Sequence, residues 1–202
     1  MHPVIKAPPF GGALCCKISC KTAGLPNVRG FGIMSPVKKD DRLRLFLASG
    51  FFLGLSPAAP GSFGALAGLA WHLAALCAGW GDGAVRAWCL AGAVLFSIVH
   101  YRLTPWAQAR WKDPDPRHFV LDEIVGYLCV PLFWILPERP PFPVWQLAVA
   151  GFVAFRVLDA IKLPIARYID RNVHTASGVL FDDVVSAAYS AALVSGAAWS
   201  LS

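Results

Sequence analysis

The sequence predicts an all-α, multi-pass helical membrane protein, and three observations lead to that fold class. Apolar residues make up 56% of the 202 residues and charged residues 15%, whereas a typical soluble domain has about 45–50% and about 25%. The mean hydropathy is +0.55. Apolar segments of nearly membrane-spanning length also recur along the chain. This composition excludes a disordered chain, a collagen-like repeat and a disulfide scaffold, and it argues against a soluble enzyme.

The N-terminal 41 residues are predicted to form a disordered basic tail, followed by a membrane-embedded domain over residues 42–202. Residues 1–37 contain four basic residues and no acidic one, are rich in proline and glycine, and show no helical period. Most of the net charge of +6 therefore lies in the tail, which makes that charge weak evidence for nucleic-acid binding. Met34 precedes a charged run and is a candidate for the true start of the protein.

Proline and glycine divide the apolar region into candidate membrane spans. No charged residue occurs between Arg44 and Asp82, a stretch too long for one crossing of roughly 20 residues. The segment 56–61 interrupts it, because its two prolines and its glycine disrupt helical hydrogen bonding. We therefore predict a short N-terminal interfacial or re-entrant helix and about five spans. The short helix covers about 42–55, and the spans cover about 62–80, 86–104, 120–137, 144–160 and 183–201.

The distribution of basic residues predicts how the spans are oriented. The segments 102–119 and 156–182 together carry eight basic residues, whereas the opposite side carries two, Arg86 and Arg139. Basic loops face the cytoplasm by the positive-inside rule. This orientation places the segment 56–61, the N-terminus and most carboxylates on the cytoplasmic side, and the C-terminus outside.

Carboxylates at the predicted cytoplasmic ends of spans are the first candidates for chemistry. Acids near a helix N-terminus are stabilised by the helix dipole by about 0.3–1 kcal/mol, which accounts for one such pair without any function. Two pairs and a fifth acid on the same membrane face would repel one another unless a cation lay among them, and magnesium takes oxygen ligands. Adjacent helical positions diverge by about 100°, so we expect one acid of each pair to face a site. The five carboxylates are Asp122, Glu123, Asp159, Asp182 and Asp183.

Several further polar residues have two interpretations each. Arg156, Asp159 and Lys162 share a helix face; their spacing favours helical ion pairs worth about 0.2–0.5 kcal/mol, and the alternative is that the two cations bind a phosphate. Ser62 is predicted to be an N-cap, where backbone N–H groups suit a phosphate, although a helical-hairpin turn fits the segment equally well. His174, before the last span, is a candidate for phosphate binding or proton relay, and a solvated loop histidine is the commoner case.

Five segments, in this order, resemble one known family. They are GLSPAAPGSFG at 54–64, LDEIVG at 121–126, FRVLDAIK at 155–162, DRNVH at 170–174 and GVLFDDV at 178–184. Together they are similar to phosphatidylglycerophosphatase A, a family of bacterial membrane phosphatases, and the similarity covers about residues 45–200.

The resemblance implies a magnesium-dependent enzyme of the bacterial cytoplasmic (inner) membrane. Its active site would face the cytoplasm and remove the terminal phosphate of phosphatidylglycerophosphate, leaving phosphatidylglycerol. The implied partner is the phospholipid substrate, with no nucleic acid, and the sequence gives no oligomeric state. The implied metal ligands are Asp122, Glu123, Asp159, Asp182 and Asp183. Asp122, Asp159, Asp182 and His174 are implied to be catalytic, with Arg156, Lys162, Arg171 and Ser62 as candidates for binding the phosphate.

A small multi-pass transporter or membrane scaffold is the alternative function. Its acidic residues would line an ion path, and such a path requires carboxylates in the middle of the spans. The predicted carboxylates lie at span ends, which favours the enzyme.

Overall fold

The computed structural model describes residues 39–173 and 175–202, and every regular element in those residues is helical. The all-α prediction is therefore confirmed. The expectations for the N-terminal tail, including a start at Met34, concern residues outside the described part of the chain. The elements are α1 (Lys39–Ala48), one 3-10 turn (Leu53–Leu55), α2 (Pro60–Cys77), α3 (Asp82–Trp111), α4 (Leu121–Phe133), α5 (Val144–Ile161), α6 (Pro164–Asn172) and α7 (Ala176–Ser200).

Four of these helices, α2, α3, α5 and α7, are long and apolar enough to cross a membrane. The remaining predicted span, 120–137, contains the 13-residue helix α4, which is about 20 Å long, whereas the hydrocarbon core is about 30 Å thick. Helix α4 packs against α2, α3, α5 and α7, and most of its residues are buried. It is a central helix surrounded by protein, and for this reason it is apolar without being long.

The N-terminal segment is not one continuous helix as predicted for 42–55. Helix α1 ends at Ala48, and the chain then turns through three residues with positive φ, Gly50, Phe51 and Phe52. The Ser49 hydroxyl stabilises this turn, because it donates to the Leu45 carbonyl at 2.6 Å and accepts from the Phe52 N–H at 3.2 Å.

Helix α7 begins earlier than the predicted span at 183. The Thr175 side chain caps it by accepting a hydrogen bond from the Gly178 N–H at 3.2 Å. Asp182 and Asp183 therefore lie about two turns inside the helix and not at its start. Helix α3 is also longer than predicted, with 30 residues that include Pro105.

Close helix contacts bring four helix ends together. A Cβ on Gly64 of α2 would lie 2.8 Å from the Val120 carbonyl oxygen, and a Cβ on Gly126 of α4 would lie 2.7 Å from Phe155 and 2.9 Å from the Cβ of Asp183. Small residues at such contacts let helix backbones approach closely. The starts of α2 and α4, the end of α5 and the first turns of α7 consequently meet at one end of the bundle.

Candidate active site

A pocket of about 130 Å³ lies where these helix ends meet. Its wall contains six carboxylates and two cationic side chains, so acidic groups outnumber basic ones by three to one. All five carboxylates singled out from the sequence line it. The expectation that one acid of each pair would face the site is wrong, because the pocket lies between α4, α5 and α7 and not on a single helix face. The charged residues are Asp115, Asp122, Glu123, Asp159, Asp182, Asp183, Arg117 and Lys162.

Three of these carboxylates form a tight cluster. Asp122, Glu123 and Asp183 each offer an oxygen, and the three oxygens lie within 4.8 Å of one another. Asp122 and Asp183 are each only 5% exposed. Asp122 Oδ1 and Glu123 Oε2 are buried and have no hydrogen-bond partner among the described residues. Burying carboxylate oxygens without hydrogen-bond partners beside a third carboxylate is costly, and a cation bound among them would lower that cost.

The helix dipole does not account for the acids of α7. Its effect falls off within the first turn, and the first turn of α7 contains no acid. Asp182 and Asp183 lie about two turns from the start of the helix, so the helix dipole gives them no stabilisation. Asp122 and Glu123 are in the first turn of α4, where the dipole does favour them.

Gly61 gives the Glu123 carboxylate its space beside α2. A Cβ built on Gly61 would overlap with Glu123 Oε1 and would lie 3.0 Å from Arg156 Nη2. The carboxylate of α4 and the guanidinium of α5 thus meet over the backbone of the first turn of α2. A side chain at position 61 would occupy the place of the Glu123 oxygen.

Arg156 joins α5 to α2 behind this cluster. Its Nη1 lies 3.0 Å from Asp159 Oδ2, and its Nε donates to Ser62 Oγ at 3.3 Å. The predicted N-cap role of Ser62 is wrong, because Ala59, with φ 49°, occupies the N-cap position of α2. Neither Arg156 nor Ser62 is among the residues that line the pocket.

Lys162 reaches into the pocket from the end of α5. It has φ 49° at the C-cap and so leaves the helical path. Its Nζ donates to Asp182 Oδ2 of α7 at 3.1 Å. Ion pairing along the helix, favoured from the spacing, therefore holds for Arg156 with Asp159, whereas Lys162 pairs across helices.

Arg117 is a cation of the pocket that sequence reasoning used only for topology. It is exposed, and its Nη2 donates to the Pro57 carbonyl at 3.2 Å. The neighbouring His118 Nδ1 lies 2.9 Å from the Gly54 carbonyl oxygen, so both residues attach the loop before α4 to the segment before α2. The sequence feature that could have identified Arg117 as a site residue is its position a few residues before Asp122, in a turn that contains prolines.

The structure leaves two predicted site residues untested. His174 and the side chain of Arg171 fall outside the described residues, so their roles stay predictions. His72 and His100 are buried within the bundle and do not line the acidic pocket.

The fold and the pocket define an integral membrane protein with a buried acidic site at one end of its helical bundle. Its family follows from comparison with known proteins. The phosphatidylglycerophosphatase A family model matches residues 46–198, and the chain belongs to this family. It is an enzyme of the phosphatase class, and this membership decides against the transporter or scaffold alternative.

Three bacterial relatives have similar sequences. Phosphatidylglycerophosphatase A of Escherichia coli is 34% identical over 152 residues, which cover 73% of this chain and 79% of the relative. The Haemophilus influenzae protein of the same name is 32% identical, covering 79% and 93%. A Bacteroides thetaiotaomicron protein, provisionally named phosphatidylinositol-3-phosphatase, is 30% identical, covering 81% and 98%. No solved structure matches the chain.

Proposed function

We propose that this protein hydrolyses the terminal phosphate of phosphatidylglycerophosphate in a magnesium-dependent reaction, giving phosphatidylglycerol and phosphate. The observation that carries the proposal is the cluster of the buried Asp122 and Asp183 with the half-buried Glu123, at one end of a membrane bundle of this family. The names of the Escherichia coli and Haemophilus influenzae relatives support the substrate.

The donor set fits magnesium. Its members are all carboxylate oxygens, the ligand type that hard divalent cations prefer, and two of those oxygens are buried without a described hydrogen-bond partner. The negative charge of the pocket would also repel a phosphate unless a cation lay between them. We assign the metal to Asp122, Glu123 and Asp183, with Asp159 and Asp182 at its margin. Magnesium supplies neutralisation of the phosphoryl oxygens and activation of water.

The cations of the pocket bind the phosphate in this proposal. Lys162 is held by Asp182, and Arg117 is anchored at Pro57, so both present N–H donors at fixed positions. Arginine offers a planar fork that matches two phosphate oxygens. Positioning and charge neutralisation account for most of the catalysis of phosphoryl transfer.

Arg156 and Asp159 position the groups that react. Arg156 holds Asp159 Oδ2 at 3.0 Å, which orients the Asp159 carboxylate at the pocket wall to accept a proton from an attacking water. Because Arg156 also meets Glu123 at Gly61, it fixes the two carboxylates relative to each other.

The position of the pocket suits a lipid substrate. Exposed apolar side chains surround this end of the bundle, among them Ile161, Ile165, Tyr168 and Phe181. Acyl chains in contact with them remain in the membrane while the headgroup enters the pocket. We place the protein in the bacterial inner membrane with the pocket facing the cytoplasm, because the basic residues are concentrated at that end.

Phosphate release from short-chain lipids tests the substrate. Purified protein in detergent with magnesium should release phosphate faster from phosphatidylglycerophosphate than from phosphatidylinositol 3-phosphate, and the lipid product should be phosphatidylglycerol. Faster release from the inositol lipid would instead favour the activity in the name of the Bacteroides relative. Sealed membrane vesicles test the orientation of the pocket. Inverted vesicles, whose cytoplasmic face is outside, should hydrolyse added lipid. Hydrolysis by intact spheroplasts alone would show that the pocket faces away from the cytoplasm.

A further inference from the structure

A second pocket, of about 100 Å³, lies at the opposite end of the bundle, and its mostly apolar wall contains a few polar side chains. The end of α2, the start of α3, the end of α4 and the start of α5 enclose it. A single buried water needs about 10–15 Å³, so this pocket has room for a group of several non-hydrogen atoms. The side chains in its wall that carry a polar group are His72, Trp80, Asp82, Arg86 and Trp134.

Trp134 provides a hydrogen-bond donor in this wall. The residue is 5% exposed, and its indole N–H has no hydrogen-bond partner within the described part of the chain. A buried indole N–H usually has an acceptor. A bound molecule with a hydrogen-bond acceptor would satisfy the Trp134 N–H.

His72 provides an acceptor. The Tyr127 hydroxyl donates its hydrogen to the Ala148 carbonyl at 3.1 Å, so its oxygen accepts from His72 Nδ1 at 3.2 Å. Nδ1 therefore carries the proton, and in the neutral imidazole Nε2 keeps a lone pair. The tyrosine thus fixes the tautomer, which leaves Nε2 able to accept a hydrogen bond from a hydroxyl group.

Arg86 provides a positive charge. Its Nε lies 2.9 Å from Asp82 Oδ2, its Nη1 donates to the Leu132 carbonyl at 3.5 Å, and its Nη2 donates to the Trp134 carbonyl at 3.1 Å. A guanidinium has five N–H donors, so these contacts hold the group in place and leave others for an anion. The same contact satisfies a carbonyl just beyond the end of α4.

Three exposed tryptophans show the depth of this pocket in the membrane. Trp80, Trp145 and Trp199 lie at the same end of the bundle, after α2, at the start of α5 and at the end of α7. Tryptophan is enriched at the membrane–water interface, at the level of the lipid headgroups. The pocket therefore opens at headgroup depth, on the membrane face opposite the acidic site.

We propose that this pocket binds the headgroup of an anionic phospholipid that carries hydroxyl groups, of the glycerophosphoglycerol type. The phosphate accepts hydrogen bonds from Arg86, and a headgroup hydroxyl accepts from Trp134 and donates to His72. The binding involves no chemical step, and it does not depend on the proposed function because the two pockets share no residue.

Binding of dihexanoyl phosphatidylglycerol to the full chain in detergent, without magnesium, tests the proposal. Dihexanoyl phosphatidylcholine and phosphatidylethanolamine should bind more weakly. Trp134→Phe keeps the ring and removes the N–H, and should weaken phosphatidylglycerol binding about two- to tenfold. Arg86→Gln should weaken it roughly ten- to a hundredfold, since hydrogen bonds to charged groups are stronger.

Two control variants locate the binding. Trp145→Phe changes an exposed tryptophan outside the pocket and should leave binding unchanged. Lys162→Gln alters the acidic pocket and should also leave it unchanged, which separates this site from product binding at the other end. An unchanged melting temperature of Trp134→Phe confirms that the variant is folded.

Three outcomes would overturn the proposal. The first is equal binding of phosphatidylcholine or phosphatidylethanolamine. The second is phosphatidylglycerol binding that Trp134→Phe and Arg86→Gln leave unchanged. The third is binding of free glycerol 3-phosphate as tight as that of the lipid, which would make the occupant a soluble phosphate.

Discussion

Replacing either Asp122 or Asp183 by asparagine should lower kcat on the order of 10²–10³-fold, equivalent to roughly 3–4 kcal/mol of lost transition-state stabilisation. Asparagine keeps the size of the side chain and removes one negative charge from the cluster of three carboxylates. The variants should remain folded, because the substitution also relieves repulsion between buried acids. Phosphate release from phosphatidylglycerophosphate, measured beside the melting temperature, separates loss of catalysis from loss of fold.

Asp82→Asn is the matched control, since Asp82 is exposed at the opposite end of the bundle and should leave turnover unchanged. If the acids only complement helix dipoles, Asp122→Asn costs about 0.3–1 kcal/mol of stability and leaves turnover intact. Asp183 lies beyond the first turn of α7. If complementing helix dipoles were the only role of these acids, Asp183→Asn would therefore change neither stability nor turnover. Near-normal turnover in both Asp122→Asn and Asp183→Asn would show that these two residues have a structural role and not a catalytic one.

Gly61→Ala should lower turnover on the order of 10²-fold without removing any charged group. The new Cβ overlaps with Glu123 Oε1 and crowds Arg156, so the carboxylate must move, and a displacement of about 1 Å in a catalytic group can cost that factor. The assay is again phosphate release, with the magnesium concentration for half-maximal rate as a second readout, which should rise.

Gly196→Ala provides the comparison for Gly61. It lies within α7, and a Cβ there would meet nothing within 4 Å, so the substitution should leave turnover unchanged and stabilise the helix by up to about 1 kcal/mol. Equal activity and equal magnesium requirement in both alanine variants would show that the position of Glu123 against α2 is irrelevant to the reaction.

Hydropathy and proline breaks predicted the all-helical membrane fold because both are local properties of the chain. They did not predict that α4 is short, since a helix buried in protein and a helix facing lipid are equally apolar. The start of α7 was placed too late for a related reason. The Thr175 cap is a local signal, but the hydropathy window located the apolar segment and not the helix end.

The five carboxylates could be selected from the sequence because they cluster at predicted span ends. Their arrangement could not, because it depends on contacts between helices. The Glu123 carboxylate lies against Gly61, and Lys162 forms an ion pair with Asp182. Each of these contacts joins residues that are far apart in the chain. Arg117 was missed because its attachment to Pro57 spans 60 residues, a separation that no periodicity reveals.

The magnesium dependence of phosphate release from phosphatidylglycerophosphate tests the central claim most directly. Protein stripped of metal with a chelator should release no phosphate, and added magnesium should restore the full rate. Asp183→Asn should require a higher magnesium concentration. Full turnover by the stripped protein, with no response to magnesium, would contradict the assignment of the acidic pocket as a magnesium-dependent active site.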